Sequence, residues 1–232
     1  MIAILIPAYN EKLGMGATLD AVEKVFGDSF KGQELAFVLV DDGSQPPLAF
    51  PERARVYRLR HLINLGQGAA IQTALAYARD RLQAEYFVTM DSDGQHDPAD
   101  LPALLAPVMA DEADIVFGNR FGAISAEGIP AARRTLLKAA TAFERLLTGL
   151  RLNDAHNGYR AFNRKAAFAL EIRQNRMAHA TEIKQKVARH RLRYAEVPVR
   201  IRYTDETLAK GQRNLGSLVI LKDLLNAYLI ER

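Results

Sequence analysis

The 232-residue sequence contains no cysteine, and it has no long uninterrupted run of apolar residues. Without cysteine the chain can form neither disulfides nor thiolate metal sites, and it cannot use a cysteine nucleophile. A helix that spans a bilayer needs about 20 apolar residues, and no run approaches that length. Residues 1–12 carry neither a basic leader nor a small-residue cleavage site, so we expect no signal peptide. These absences favour a cytoplasmic protein whose membrane contact is at most peripheral.

A strong excess of charge is also missing. The formal net charge is +4, from 31 Lys and Arg against 27 Asp and Glu. This mild excess favours anionic partners, but no basic run with interleaved aromatic residues occurs, so we expect no nucleic-acid binding. With 49% hydrophobic residues the chain can bury a sizeable core. No linker divides it, and we predict a single domain over residues 1–232.

Short apolar segments alternate with helical patterns through residue 118. Strands are predicted at residues 2–6, 35–40, 56–59, 86–90 and 114–118, and helices at 18–26, 69–82 and 98–109. This alternation predicts an α/β fold with a doubly wound, mostly parallel sheet flanked by helices.

The second half of the chain has a different pattern. We predict helices at residues 132–150, 181–190 and 215–230, a strand at 194–201 and a charged loop at 203–213. Residues 153–162 form a polar segment that precedes a helix. The first and last of these helices are amphipathic, and core packing explains them more simply than membrane contact does.

Residues 86–98 form the most informative stretch. A strand runs into Asp91 and Asp93, and residues two apart in an extended chain point to the same side. The two carboxylates can therefore converge on one hard cation, and Gln95 can add a neutral oxygen ligand. Asp97 is typical of a helix N-cap. A metal at the end of an α/β strand usually binds a phosphate-bearing ligand.

Charged residues at other predicted strand and helix ends have two readings each. Asp41 and Asp42 follow the second strand, where they either form a turn or accept hydrogen bonds from a base or ribose. Arg120 is either a solvated loop charge or an anion clamp. Arg133 and Arg134 either begin a helix or serve a function, because basic residues at that position oppose the helix dipole.

Two glycine pairs, Gly14-x-Gly16 and Gly66-x-Gly68, lack the third glycine of a dinucleotide-binding fingerprint. Gly68 at a helix start would let backbone N–H groups approach a phosphate, or it forms a tight turn. The five histidines show no metal-binding spacing.

Six motifs occur in an order that resembles the family 2 glycosyltransferases with the GT-A fold. They are residues 6–11 (IPAYNE), 40–44 (VDDGS), 64–70 (NLGQGAA), 90–96 (MDSDGQH), 118–120 (GNR) and 157–160 (NGYR). The resemblance is greatest to the branch that contains dolichol-phosphate mannose synthase and bacterial polyprenyl-phosphate sugar synthases.

The resemblance implies transfer of a hexose from a UDP- or GDP-sugar with inversion at the anomeric carbon. Residues 1–120 would form the nucleotide-sugar half and 121–232 the acceptor half. Asp91, Asp93 and Gln95 would hold Mg²⁺ or Mn²⁺ on the diphosphate, with Asp93 needed for catalysis. The implied donor-binding residues are Pro7, Tyr9, Asn10, Glu11, Asp41, Asp42, Gly68, Asp91 and Ser92, with Lys210 or Arg213 closing over the diphosphate.

The acceptor implied by the resemblance is a polyprenyl phosphate or a growing surface glycan. A lipid phosphate is already an anion and needs no strong base, so Arg120 with Arg133 or Arg134 would hold it. A sugar hydroxyl needs a general base, for which Asp154 and Glu182 are candidates. The remaining acceptor-side candidates are Asn157 and Arg160.

The sequence departs from the family pattern at two places. Gln67 stands where the branch often carries lysine, and residues 203–210 replace a late arginine-glycine-serine-lysine pattern. Two alternatives are a sugar-1-phosphate nucleotidyltransferase and a non-catalytic nucleotide-sugar-binding subunit. The sequence lacks the basic Gly-rich loop that a nucleotidyltransferase would have right after the first strand. The acidic pair argues against a non-catalytic binding subunit. Peripheral membrane contact, a membrane partner subunit and a homo-oligomer all stay open.

Overall fold

The computed structural model describes residues 1–11, 15–50, 52–121, 148–154, 157–176 and 178–201, together with Thr141 and Arg145. Most of the predicted helix at 132–150, all of the one at 215–230 and the predicted loop at 203–213 lie outside the described residues. Within the described ranges, no helix is long and apolar enough to cross a bilayer.

One mixed sheet organises the described chain. Its strands are β1 (Ile2–Ala8), β2 (Ser29–Phe30), β3 (Gln33–Asp41), β4 (Val56–Arg60), β5 (Tyr86–Thr89), β6 (Ile115–Asn119), β7 (Arg160–Asn163) and β8 (Tyr194–Pro198). They lie in the order β2-β3-β1-β5-β7-β6-β8, and β4 pairs with β3. The pairs β1–β3, β1–β5, β3–β4 and β6–β8 are parallel.

Helices cover both faces of this sheet. They are α1 (Met15–Phe26), α2 (Gln67–Asp80), α3 (Leu101–Met109), α4 (Arg164–Leu170) and α5 (His179–Arg189), with a 3₁₀ turn at Pro98–Asp100 before α3. Alternate residues of β1 enter different cores: Ala3 and Leu5 pack with α2, α4 and α5, whereas Ile4 packs with α1 and α3. Burial on both faces explains why β1 is uniformly apolar.

The structure confirms the α/β class and the five strands predicted in the first half, which are β1, β3, β4, β5 and β6. Asp97 caps the turn before α3, since its Oδ1 accepts from Ala99 N at 3.1 Å. Residues 153–162 were predicted to be a polar segment without a strand, and this is wrong from residue 160 onward. Residues 160–163 form β7, which runs antiparallel between β5 and β6.

The position of β7 brings a late part of the chain to the end of β5. Its first residue, Arg160, lies opposite Thr89 of β5 and Phe117 of β6. Because β7 runs antiparallel to both β5 and β6, it begins at the sheet edge where those two strands end. Residues just before and within β7 therefore border any site formed at that edge.

Asp114 ties the start of β6 to later parts of the chain. Its buried carboxylate accepts from Lys165 Nζ at 3.0 Å, Arg193 N at 2.9 Å and Asn163 Nδ2 at 3.1 Å. Burial alone would raise the pKa of Asp114, but these hydrogen bonds outweigh it and hold the pKa well below its usual range. The carboxylate therefore stabilises the fold in its ionised form.

We expect Asp114→Asn to lower the free energy of unfolding by about 2 kcal/mol, because a buried charged acceptor is lost. Because the folded-state pKa lies below that of the unfolded chain, about 3.9, the wild-type contribution is complete above that value. It is lost as the pH falls through the folded-state pKa, and the variant should lack this part of the acid sensitivity. Urea denaturation at pH 7 and pH 3 measures both effects.

Asp111→Asn is the matched control, because Asp111 also pairs with Arg193 but its side chain is 82% exposed. That substitution should leave the denaturation midpoint unchanged within error. Equal effects of the two substitutions would contradict the role assigned to Asp114.

Candidate active site

A cavity of about 790 Å³ opens at the sheet edge where β1 and β5 end. It brings together seven residues predicted from sequence, namely Pro7, Tyr9, Glu11, Asp42, Asp91, Ser92 and Asp93. Its other lining residues were not predicted as site residues: Ala8, Asn64, Gly66, Gln67, Ala70 and Arg176. Strand ends and the loop before α2 thus converge on one space.

Asp91 and Asp93 line this cavity, and the pKa values of both are raised. Burial raises the pKa of Asp91, and the charges of Arg160 and Arg120 only partly oppose this. Burial also raises the pKa of Asp93, and the nearby charge of Asp91 raises it further. Two carboxylates that disfavour each other's charge are a suitable donor set for a hard cation.

The donor set fits Mg²⁺ or a similar ion, which is commonly held by one or two carboxylates together with phosphates of the substrate. The structure describes no group of three or more His, Asp or Glu side chains arranged for a metal. A metal at Asp91 and Asp93 would therefore take its remaining ligands from substrate and water.

Two glutamine amides orient the acidic pair. Gln67 Nε2 donates to Asp91 Oδ1 at 3.0 Å. Gln95 Nε2 donates to Asp93 Oδ2 at 2.7 Å, and Gln95 N donates to Asp93 Oδ1 at 3.0 Å. Gln95 was predicted as a metal ligand, but it does not line the cavity and its amide N–H group faces Asp93. The structure therefore shows Gln95 in contact with the predicted ligand Asp93, and its own role as a ligand stays a prediction.

His96 contacts the backbone of the loop that carries Asp91 and Asp93. Its Nδ1 accepts from Asp91 N at 3.0 Å, and its ring stacks on Tyr159 with centroids 4.5 Å apart. Burial lowers the pKa of His96 to about 4, so the ring is neutral at pH 7. Because Nδ1 is the acceptor, the proton resides on Nε2, which lies 3.6 Å from Asp91 Oδ2.

Gly158, two residues before β7, packs against Asp91. A Cβ atom at this position would lie 2.9 Å from Asp91 Oδ2, which is closer than side-chain atoms approach. Thr89 Oγ1 donates to Gly158 O at 2.6 Å and fixes this approach. The glycine of the NGYR motif therefore makes room for a carboxylate, and this role was not predicted.

Arg160 lies behind Asp91 and away from the large cavity, although it was predicted on the acceptor side. It is buried, and it lines a smaller cavity of about 70 Å³ together with Asp91 and His179. Its Nε and Nη1 atoms have no hydrogen-bond partner among the described residues. Burial lowers the pKa of Arg160 to about 10, so it stays charged. A buried cation therefore supports the ionised form of Asp91.

Asp41 and Asp42 hold loops in place. Asp41 accepts from Ser44 N at 2.9 Å and Leu48 N at 3.1 Å, and it does not line the large cavity. The prediction that Asp41 contacts the nucleoside is therefore not supported by its position. Asn10, also predicted as a donor ligand, lies outside the cavity lining and accepts from Gln45 N at 3.2 Å.

Asp42 does line the cavity, but its two oxygens already accept four hydrogen bonds. The donors are His61 Nδ1 at 2.7 Å, Asn64 Nδ2 at 2.9 Å, Leu65 N at 3.0 Å and Gly66 N at 2.7 Å. A carboxylate offers about four acceptor positions, so little capacity remains for a nucleoside. Asp42 therefore fixes the loop that leads into α2.

The two glycines of the Gly66-Gln67-Gly68 motif pack closely against residues 174–176. A Cβ atom on Gly68 would lie 2.1 Å from Gln174 O, and one on Gly66 would lie 2.9 Å from Arg176 N. Gly68 N donates to Asn175 O at 3.2 Å, so this N–H group is already engaged within the chain. The glycines allow residues 174–176 to lie across the start of α2.

Four of the acceptor-side candidates, Arg120, Asp154, Asn157 and Glu182, have hydrogen-bond or ion-pair partners. Arg120 Nε donates to the buried carboxylate of Asp154 at 2.6 Å. Glu182 accepts from Gln174 N at 2.7 Å and pairs with Lys186 at 2.8 Å. Asn157 Oδ1 accepts from Tyr159 N at 3.0 Å. Arg133, Arg134, Lys210 and Arg213 lie outside the described residues.

The fold and the acidic cavity define the class. The architecture is that of the GT-A glycosyltransferases, and it is shared with glucosyl-3-phosphoglycerate synthase from Mycobacterium tuberculosis, solved with Mn²⁺, uridine diphosphate and phosphoglyceric acid. The TM-score is 0.65 at 16% identity, over 98% of this chain and 78% of that one.

Residues 3–168 match the family described as glycosyl transferase family 2, and the chain belongs to this family. One relative is the UDP-N-acetylglucosamine–dolichyl-phosphate N-acetylglucosaminyltransferase of Methanococcus voltae, 26% identical over 97% of this chain and 95% of its own length. Another is the polyprenol monophosphomannose synthase of Mycolicibacterium smegmatis, 28% identical over 73% of this chain and 64% of its own. The resemblance inferred from the six motifs is confirmed.

We expect Asp42→Asn to lower the free energy of unfolding by about 1–3 kcal/mol, because an amide N–H₂ group would replace an oxygen that faces other donors. Nucleotide binding should weaken in parallel, since the loop before α2 loses its anchor. Thermal denaturation and calorimetry of the same samples measure the two effects. Weaker nucleotide binding with unchanged stability would instead identify Asp42 as a direct nucleoside ligand.

Proposed function

We propose that this protein is a metal-dependent, inverting hexosyltransferase that moves a sugar from a nucleoside diphosphate to a polyprenyl phosphate. The observation that carries the proposal is the convergence of Asp91 and Asp93 on a cavity that Tyr9 and Glu11 also line. The cavity, at about 790 Å³, has the size of small-molecule sites and can accommodate a nucleotide sugar.

The donor would lie with its nucleoside beside Pro7, Tyr9 and Glu11 and its diphosphate beside the acidic pair. Asp91 and Asp93 would hold Mg²⁺ or Mn²⁺ there. When bound, the cation neutralises negative charge on the departing nucleoside diphosphate. A solved neighbour of the same fold contains Mn²⁺ and uridine diphosphate, which supports this assignment.

The residues around the pair provide orientation. Gln67 and Gln95 hold one carboxylate each, so both can keep a fixed direction toward the diphosphate. The neutral His96 ring accepts from the backbone of Asp91 and fixes the loop without adding charge. Such preorganisation lowers the cost of arranging the reacting groups at the moment of transfer.

A phosphate acceptor suits the described carboxylates. Asp154 is paired with Arg120, and Glu182 is bonded to backbone N–H groups and Lys186, so neither is positioned as a general base. A phosphate monoester needs no base, since its oxygen is already anionic. It would attack the anomeric carbon from the face opposite the diphosphate and invert that centre. The dolichyl-phosphate and polyprenol substrates named for two relatives support this choice.

We infer that the protein works at the cytoplasmic face of a membrane, because the proposed lipid acceptor resides there. Peripheral contact or a membrane partner subunit would deliver that acceptor. A surface-glycan hydroxyl remains the alternative acceptor. Membership of the glycosyltransferase family favours transfer chemistry over the nucleotidyltransferase and the non-catalytic subunit.

We expect Asp93→Asn to reduce sugar transfer by at least about 100-fold, because a neutral amide is a much poorer metal ligand than a carboxylate. Calorimetry should show that Mn²⁺ strengthens UDP or GDP binding to the wild type and fails to do so in the variant. Asp20→Asn is the matched control, because the Asp20 side chain on α1 is 63% exposed, and it should behave as wild type. Nucleotide binding that is independent of metal in the wild type would refute the metal role.

We expect a donor-by-acceptor screen to show transfer to short polyprenyl phosphates. UDP- and GDP-hexoses labelled in the sugar would be offered with either polyprenyl phosphates or saccharides, and the products separated by chromatography. The new bond should be acid-labile and have the anomeric configuration opposite to that of the donor. Transfer to saccharide hydroxyls alone would overturn the lipid-phosphate acceptor.

A further inference from the structure

The donor cavity has an unusual charge balance. Its described lining contains four carboxylates, those of Glu11, Asp42, Asp91 and Asp93. Of the described residues that line it, Arg176 alone carries a positive side chain. A diphosphate brings at least two negative charges into this space. Its binding therefore depends on every cation that reaches the cavity, whether from a metal or from the protein.

The backbone at Arg176 is held firmly. The Glu182 carboxylate accepts from Arg173 N at 3.0 Å and Gln174 N at 2.7 Å. His179 Nδ1 donates to Arg176 O at 2.6 Å, and Gly68 N donates to Asn175 O at 3.2 Å. The segment over residues 173–176 is thus tied to both α5 and the start of α2.

The Arg176 side chain, by contrast, has no internal partner among the described residues. It is exposed, and none of the hydrogen bonds or ion pairs of the described chain involves its guanidinium. The nearby Arg173 differs, since its side chain pairs with Glu171 at 3.3 Å and does not line the cavity. A fixed backbone with a free guanidinium at an acidic cavity is the arrangement of a ligand-binding arginine.

We propose that Arg176 binds phosphoryl oxygens of the donor diphosphate. The inference rests on the proposed function and adds a residue from the second half of the chain to the donor site. Asp91 and Asp93 line the same cavity, and the metal that they would hold contacts the same diphosphate. Arg176 would then neutralise the diphosphate together with that metal, and its planar guanidinium would contact two oxygens at once.

The structure also indicates which residue can replace Arg176. Gln67 lines the same cavity and follows Gly66, whose Cα lies against the backbone of Arg176. A lysine at position 67 would place an ammonium group near the space that the Arg176 guanidinium reaches. The proposal therefore predicts that a lysine at position 67 restores part of the positive charge lost with Arg176, although it replaces the amide that Gln67 donates to Asp91.

The test is calorimetry of UDP and GDP with Mn²⁺, using wild type, Arg176→Gln, Arg176→Lys and the double variant Gln67→Lys/Arg176→Gln. Loss of a charged hydrogen-bonding partner predicts that Arg176→Gln binds the nucleotide about 10- to 100-fold more weakly. Arg176→Lys should recover part of the loss, and the double variant should recover at least a third of it on a logarithmic scale. The corresponding monophosphates should lose less affinity than the diphosphates.

Arg173→Gln is the matched control and should bind within twofold of the wild type. Thermal denaturation should show no loss of stability in Arg176→Gln, because the side chain is exposed. Diphosphate binding by Arg176→Gln within twofold of the wild type would overturn the inference. So would an unchanged diphosphate affinity combined with a raised KM for polyprenyl phosphate, which would assign Arg176 to the acceptor phosphate. If the wild type bound neither UDP nor GDP, the proposed function itself would fail.

Discussion

Two like charges placed together at the end of a buried strand repel each other and lose part of their hydration. Asp91 and Asp93 are in this position: burial raises the pKa of both, and the charge of Asp91 raises the pKa of Asp93 further. Gln67 and Gln95 direct the carboxylates with amide hydrogen bonds, and Gly158 leaves space beside Asp91. The charges of Arg160 and Arg120 only partly offset the raised pKa of Asp91. A bound cation would relieve the repulsion that remains, which is the physical basis of the proposed metal site.

The donor cavity depends on both halves of the chain. The motifs predicted a nucleotide-sugar half ending at residue 120, yet Gly158 and Arg176 come from beyond it. Gly66 and Gly68 make this possible, since side chains there would collide with the segment that carries Arg176. The structural reason for this glycine pair is close packing between two backbones, which is a second use of glycine beside phosphate binding.

Features set by local pattern were predictable from sequence. The apolar runs identified β1 and β3 to β6, and the two-residue period identified the acidic pair. The antiparallel β7 was missed because a four-residue strand that begins with arginine and ends with asparagine has no clear alternation. The roles of Asp42 and Arg176 depend on atoms brought near by folding. Asp42 is saturated by donors from residues 61–66, and no spacing along the chain reveals this.

The antiparallel β7 has a consequence for the newly made chain. Thr89 is bonded to Gly158, 69 positions later, so β5 emerges from the ribosome long before the strand that completes its pairing. Until then one edge of β5 presents unpaired backbone groups, which are prone to pair with other chains. The acidic residues at its end keep charge beside that open edge. The same carboxylates that line the cavity of the folded enzyme would thus discourage aggregation of the newly made chain.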